Sequence, residues 1–143
     1  MEERVIARLA RLIGYPSPVP GEATECRLVV DGHEVLLWEG DGGSLTASQV
    51  LCYLSELPCE EGEVLRPLAS YAFGRTFRER AVLAHDPDDG SLVLWQRLEG
   101  GQSGDGELVG QFEAYLSSCD WWRSRVSELT EVRPSFPEMV FRP

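Results

Sequence analysis

The sequence predicts an α+β fold: a helix, three strands, a helix, two strands and a helix, with the strands in a twisted, mainly antiparallel sheet packed with helices. Three observations carry this. Two stretches, "ECRLVVDGHEVLLWEG" and "AVLAHDPDDGSLVLWQRLEG", each fold two apolar runs around a polar turn. The first and last long segments instead repeat apolar residues every three or four positions, the helical period. With 143 residues, 43% of them hydrophobic and 26% charged, the chain has the size and composition of one domain able to bury a core.

The first helix is expected over Glu2 to Gly14, where Val5, Ile6, Leu9, Leu12 and Ile13 share a face and Glu2 and Glu3 suit the positive end of the dipole. The "YPSPVPG" that follows stops it. Asp31-Gly32 readily takes the positive φ angles of a tight hairpin turn between two strands. After "DGGS", Ser48 to Leu57 is β-branched and aromatic enough for a third strand, although so short an apolar run also fits a helix. From Glu60, Val64, Leu65, Leu68, Ala69, Ala72 and Phe73 form a helical stripe, in which Pro67 must lie in the first turn or kink the helix; Gly74 is its expected C-terminal cap. Strands at Ala81 to His85 and Leu92 to Leu98 flank the "DPDDG" turn. "GGQSGDG" reads as a linker. The closing helix is expected over Glu107 to Leu129, where Leu108, Phe112, Tyr115, Leu116, Cys119, Trp122, Val126 and Leu129 recur at helical spacing. Residues 1–129 are thus expected to form a single domain, and residues 130–143, with three prolines, an irregular tail.

Charge and composition exclude several functions. Twenty-four acidic residues against thirteen basic ones give a net charge of -11 and a pI near 4.6, which argues against nucleic acid or an anionic membrane as partner. All thirteen bases are arginine, so neither a lysine-dependent phosphate loop nor Schiff-base chemistry is available. Met1 leads into a charged helical pattern, and no apolar run approaches a membrane span of roughly 18 residues, so a soluble, cytoplasmic protein is expected.

No constellation of catalytic or metal-ligating residues emerges. Cys26, Cys52, Cys59 and Cys119 are scattered without a C-x-x-C pair, and only His33 and His85 could assist, so free thiols and no metal are expected. Neither histidine has a serine or cysteine partner by motif. The acids cluster in turns and helix starts, where solvation and the helix dipole account for them. Trp121-Trp122 could serve as a stacking platform, but one ring falls on the apolar stripe and reads better as core beside an exposed neighbour.

The order of elements, and above all "AVLAHDPDDGSLVLWQRL", resembles the class I chaperones of bacterial type III secretion, the Tir-chaperone or CesT-like family. In that stretch an apolar run ends in Asp86, turns to Gly90 and returns as a strand closing on Trp95, Gln96, Arg97 and Leu98, with Leu83, Leu92 and Leu94 as its apolar frame. "VLRPLASYAFG" stands where the family has its second helix, and "ELVGQFEAYLSSCDWWRSRV" where it has its last. The resemblance covers roughly residues 2 to 129; Pro67 and the long tail depart from it.

The resemblance implies no catalysis, no cofactor, and a homodimer formed largely through the second helix, at Leu65, Leu68, Ala69, Ala72 and Phe73. It further implies that the dimer holds the extended N-terminal segment of a secreted effector. Alternation along the strands sets Leu36, Trp38, Val93 and Trp95 on the face opposite Val35, Leu37, Leu92 and Leu94. One face can be covered by helices, so Leu36, Trp38, Val93 and Trp95, with Val5, Leu9 and Leu12 of the first helix, are the expected effector contacts. The rival readings are a small α+β enzyme or ligand-binding domain, and a chaperone-like fold serving a partner outside secretion. A neighbouring gene for a toxin-like effector favours the first reading over these.

Overall fold

The structure is a computed structural model that describes residues 3–75, 78–100 and 104–130. Helix α1 (Val5–Leu12) leads into strands β1 (Glu25–Val30), β2 (His33–Glu39) and β3 (Leu45–Tyr53); α2 (Glu61–Arg75), β4 (Val82–Asp86), β5 (Ser91–Leu98) and α3 (Asp105–Thr130) follow. Short 3₁₀ turns at Asp41–Gly43 and Leu54–Glu56 flank β3. The sheet order is β1-β2-β3-β5-β4, and every neighbouring pair is antiparallel.

Local chemistry sets the turns. Asp31 and Gly32 hold φ of 51° and 80°, as the two-residue β1–β2 hairpin requires, and Val30 faces His33 across it. In the β4–β5 turn, the Asp88 N–H donates to Asp86 Oδ1 at 2.9 Å and the Ser91 N–H to Asp89 Oδ1 at 2.9 Å, so the aspartates supply the acceptors that the backbone lacks there. Gly90 closes that turn at φ 72°.

The sheet is covered on one face. Leu28, Val35, Leu37, Leu45, Ala47, Leu92, Leu94 and Leu98 point inward and are buried against Ile6 and Leu9 of α1, Val64 and Leu68 of α2, and Phe112, Tyr115, Cys119 and Trp122 of α3. At about 1.5–3 kcal/mol for each fully buried large apolar side chain, this layer is the main source of stability. Two polar tethers cross it: Tyr115 Oη donates to the Leu94 carbonyl at 2.8 Å, and an Arg123 guanidinium N–H donates to Gln49 Oε1, which lets β3 carry a buried amide inward.

Helix α1 has only eight residues, too few to persist alone, and no side-chain cap of its own. Long-range contacts seat it. Glu39 at the end of β2 accepts the Val5 N–H and Arg4 Nη1, each at 3.1 Å, and its carboxylate is only 6% exposed. Arg8 donates to the Gly100 carbonyl at 3.2 Å and to Asp105 at 2.8 Å, tying α1 to the start of α3. Gly100 is obligatory here, because a Cβ at that position would stand 2.4 Å from Val5 Cγ1.

Helix α1 is shorter than expected, Val5–Leu12 within Glu2 to Gly14, and the larger departures from the sequence expectation lie in β3, α2 and α3. Strand β3 begins at Leu45, not Ser48, because pairing with both β2 and β5 draws in Leu45, Thr46 and the weakly strand-forming Ala47. Its end is a register shift between Val50 and Cys52 followed by the Leu54–Glu56 turn, so the run does not continue as strand to Leu57. Helix α2 runs through Pro67, which lies beyond the first turn, and past Gly74 to Arg75. The proline leaves the Glu63 carbonyl without its usual helical donor, a loss offset by the buried Val64 and Leu68 on either side. Helix α3 starts at Asp105, with Asp105 and Glu107 in its first turn, and ends at Thr130; the tail beyond it, residues 131–143, lies outside the described residues.

Candidate functional site

The outer face of the sheet carries side chains that no described helix covers. Leu36, Ser48, Trp95 and Val82 fall on one cross-strand row, Trp38, Thr46 and Arg97 on the next, and Val50, Val93 and Ala84 on a third. Trp38 and Trp95 are each 38% exposed, and Val29, Val50 and Val82 are exposed beside them; Leu36 and Val93 are half-buried. An apolar face of this breadth on a chain of net charge -11 has the character of a protein-binding surface.

A second apolar surface lies along α2. Leu65, Leu68, Ala69, Ala72 and Phe73 line one side of a groove of about 450 Å³, with Leu83, Ala84, His85 and Leu92 on the other. Phe73 is 80% exposed and Ala69 is exposed, while Leu65 and Ala72 are half-buried.

Three expected contact residues belong to the core instead. Val5 and Leu9 are buried, because α1 lies on the inner face and directs them at the sheet; of the three expected contacts on α1, Leu12 alone is half-buried. Leu68 is buried within its own chain between α2 and β4–β5, although it forms part of the groove floor. Sequence reasoning missed Val29, Val50 and Val82. The period-2 alternation that placed Trp38 and Trp95 also predicts Val29 and Val82, whereas Val50 needed the true start of β3.

The tryptophan pair splits as expected. Trp122 is buried and donates Nε1–H to Glu79 Oε1 at 2.8 Å; Trp121 is half-buried, with Arg75 Cζ 3.8 Å and Arg125 Cζ 5.0 Å from its ring centroid and Tyr71 edge-on at 5.8 Å. Guanidinium groups already occupy the ring, so Trp121 serves to clamp α2 to α3. Arg75 also pairs with Glu79, closing the cluster.

Burial pushes the Cys119 thiol up to about 11 and raises the Tyr115 hydroxyl well above its ordinary value; both lie in the core. Burial also raises the Cys26 and Cys52 thiols. Among the described residues, the four cysteines are free and no cluster of histidine, cysteine or carboxylate could hold a metal ion. No described helix is long and apolar enough to cross a membrane.

Comparison with known proteins decides the family. The model of the Tir chaperone protein (CesT) family matches residues 4–123, covering every strand, α1, α2 and most of α3. The chain belongs to the Tir chaperone protein (CesT) family. It is thus a type III secretion chaperone that binds effector protein. Its fold is shared with a chain of the ExsC–ExsE complex at 21% identity, with 84% of this chain and 89% of that chain covered and a TM-score of 0.62. It is shared also with a chain of the HopA1–SchA chaperone–effector complex, at 15% identity, 84% and 91% coverage and a TM-score of 0.62. A third match is the heterodimeric ExoU–SpcU complex from the type III secretion system of Pseudomonas aeruginosa, at 23% identity, 87% and 95% coverage and a TM-score of 0.58. Among curated proteins, none matches this chain.

Proposed function

We propose that this CesT-family chaperone acts as a cytoplasmic bacterial homodimer that holds the N-terminal segment of a cognate virulence effector in extended form, soluble and competent for export. The observation that carries the proposal is the outer sheet face, where Leu36, Trp38, Val93 and Trp95 form apolar relief that no described helix covers. An extended segment laid over it gains apolar contact at several separate points. The HopA1–SchA chaperone–effector complex, whose fold this chain shares, supports an effector as the partner.

No reacting group is required. The chaperone uses no cofactor and does no catalysis; its work is to exclude the effector segment from premature folding and aggregation. Dimerisation through Leu65, Ala69, Ala72 and Phe73 covers the α2 groove, with Leu68 as its floor. The reading is tested by isolating the protein from its native cell and identifying bound partners by mass spectrometry. A secreted protein whose N-terminal segment alone suffices for binding supports it, and a partner bound through a folded domain refutes it. Phe73→Asp should convert dimers to monomers by light scattering; an unmodified protein that is monomeric at micromolar concentration contradicts the homodimer.

A further inference from the structure

A separate groove lies on the covered side of the sheet, away from Trp38 and Trp95. It holds about 600 Å³ between α3 and the segment that leads from α2 into β4. Its α3 wall is the small-residue face Gly110, Ala114 and Ser118, and the opposite wall carries Arg78 and Arg80. Both arginines are exposed, and among the described residues neither side chain makes an ion pair or a hydrogen bond. Their backbone is nonetheless fixed. The Arg78 and Glu79 N–H groups donate to the Arg75 carbonyl at 2.9 and 3.0 Å, and the Glu79 carboxylate is engaged by Arg75 and Trp122. Gln96 of β5 opens into the same groove. It stands among the inward-facing Leu92, Leu94 and Leu98, is only 5% exposed, and its side-chain amide has no hydrogen-bond partner among the described residues. Gln49, the other inward glutamine, has Arg123. A buried amide is costly unless something hydrogen-bonds it, so Gln96 points to a ligand from outside the chain.

We infer that this groove binds a short extended segment of a partner protein carrying two acidic side chains, which pair with Arg78 and Arg80 while the segment's backbone hydrogen-bonds the Gln96 amide. The α3 wall from Glu107 to Ser118 is about 16 Å long at 1.5 Å per residue, the length of about five extended residues. Gly110 and Ala114 project little bulk, so a backbone can approach α3 closely. Charge selects the occupant. On a chain of net charge -11, two unpaired arginines on one wall run against the overall field and favour an acidic ligand there. Of the carboxylates on the wall, Glu79 is already engaged, and Glu107 pairs with neither arginine. The chain's own residues 131–143 match less well, since they carry two acids and two arginines. The site is separate from the outer sheet face and leaves that face free for the effector segment.

The probe is a fluorescein-labelled, end-capped five-residue peptide alternating glycine and glutamate, titrated with the full-length protein and followed by fluorescence anisotropy. The same peptide with glutamine for glutamate is the control. An exposed ion pair is worth up to about fivefold in affinity, so two should favour the acidic peptide by about tenfold or more at low salt. Arg78→Gln combined with Arg80→Gln should remove that preference. Gln96→Leu should weaken both peptides alike, by about twofold to tenfold, while its urea midpoint equals or exceeds the parent's. Trp38→Ala combined with Trp95→Ala should bind the probe as the parent does. No preference for the acidic peptide, or the same preference in the arginine variant, overturns the inference. Loss of binding in the double tryptophan variant overturns the separate site. Inorganic phosphate that binds as tightly as the peptide and displaces it makes the groove a simple anion site and overturns the segment. Tighter probe binding in a Glu131→Gln, Glu138→Gln variant makes the chain's own tail the occupant and overturns the partner.

Discussion

Glu39→Ala should cost about 1–3 kcal/mol of stability without releasing α1 from the sheet. The Glu39 carboxylate takes the place of a helix cap, accepting the Val5 N–H at 3.1 Å from a strand 34 residues away, and it binds Arg4 at 3.1 Å. Removing a cap costs about 0.5–2 kcal/mol. Arg4 is half exposed, so its pair with Glu39 contributes no more than about 1 kcal/mol. Against this, α1 buries Val5, Ile6 and Leu9, worth about 4–9 kcal/mol at roughly 1.5–3 each, so burial wins and the helix stays seated. At about 2–4 °C per kcal/mol for a chain of this size, the melting temperature should fall by about 2–12 °C. Glu39→Gln keeps an acceptor oxygen for Val5 while losing the charge, and should cost less than half as much. Urea titration of the three proteins, followed by far-ultraviolet circular dichroism, provides the assay. Equal midpoints for the Ala and Gln variants would show that charge, not capping, is what Glu39 supplies. A midpoint for Glu39→Ala matching the parent would refute the capping argument altogether.

Two further perturbations probe the core. Gly100→Ala places a methyl group 2.4 Å from Val5 Cγ1, so α1 must shift; a loss of about 1–3 kcal/mol is expected by urea titration, and an unchanged midpoint would show that this approach is not a constraint. Alkaline pH should destabilise the fold. The Cys119 thiol is raised from 9.0 to about 11 and the Tyr115 hydroxyl is raised as well, so the folded chain retains protons that the unfolded chain releases. Their stabilisation is complete below about pH 9 and declines as pH rises toward 11, by about 2–3 kcal/mol for the thiol. A urea midpoint that is lower at pH 10.5 than at pH 8, with a smaller drop in Cys119→Ala, is the expected result; a midpoint that rises contradicts it.

Local chemistry made much of the fold legible. Asp31-Gly32 and "DPDDG" name their turns through backbone conformations and side-chain acceptors within a few residues, and period-2 alternation separates Leu37 and Leu94 from Trp38 and Trp95. What stayed hidden depends on partners distant in the chain. Gln49 is a poor inward residue until Arg123 meets it from α3, and Thr46 and Ala47 become strand only between β2 and β5. Leu68 shares an amphipathic stripe with Ala69 and Phe73, which remain exposed, and Leu9 shares one with the half-buried Leu12; a stripe does not say which of its edges the sheet covers. The seat of α1 on Glu39 and Gly100 spans 34 and 92 residues and leaves no local pattern at all.

The central claim is that the effector segment lies on the outer sheet face. It is tested by calorimetric titration of the N-terminal segment of the copurified effector into the parent chaperone and into Trp38→Ala, Trp95→Ala and the double variant. Each indole is 38% exposed, which leaves about 95 Å² of the roughly 250 Å² that a tryptophan can bury. Covering that area at about 25 cal/mol per Å² is worth about 2 kcal/mol, or about 30-fold in Kd. Each single variant should therefore bind about 10- to 30-fold more weakly. The double variant should lose several hundred-fold while unfolding cooperatively in urea, since β3 separates the two rings and their losses should nearly add. A cooperatively folded double variant that binds the segment with the parent's affinity would contradict the claim and place the effector elsewhere on the chain.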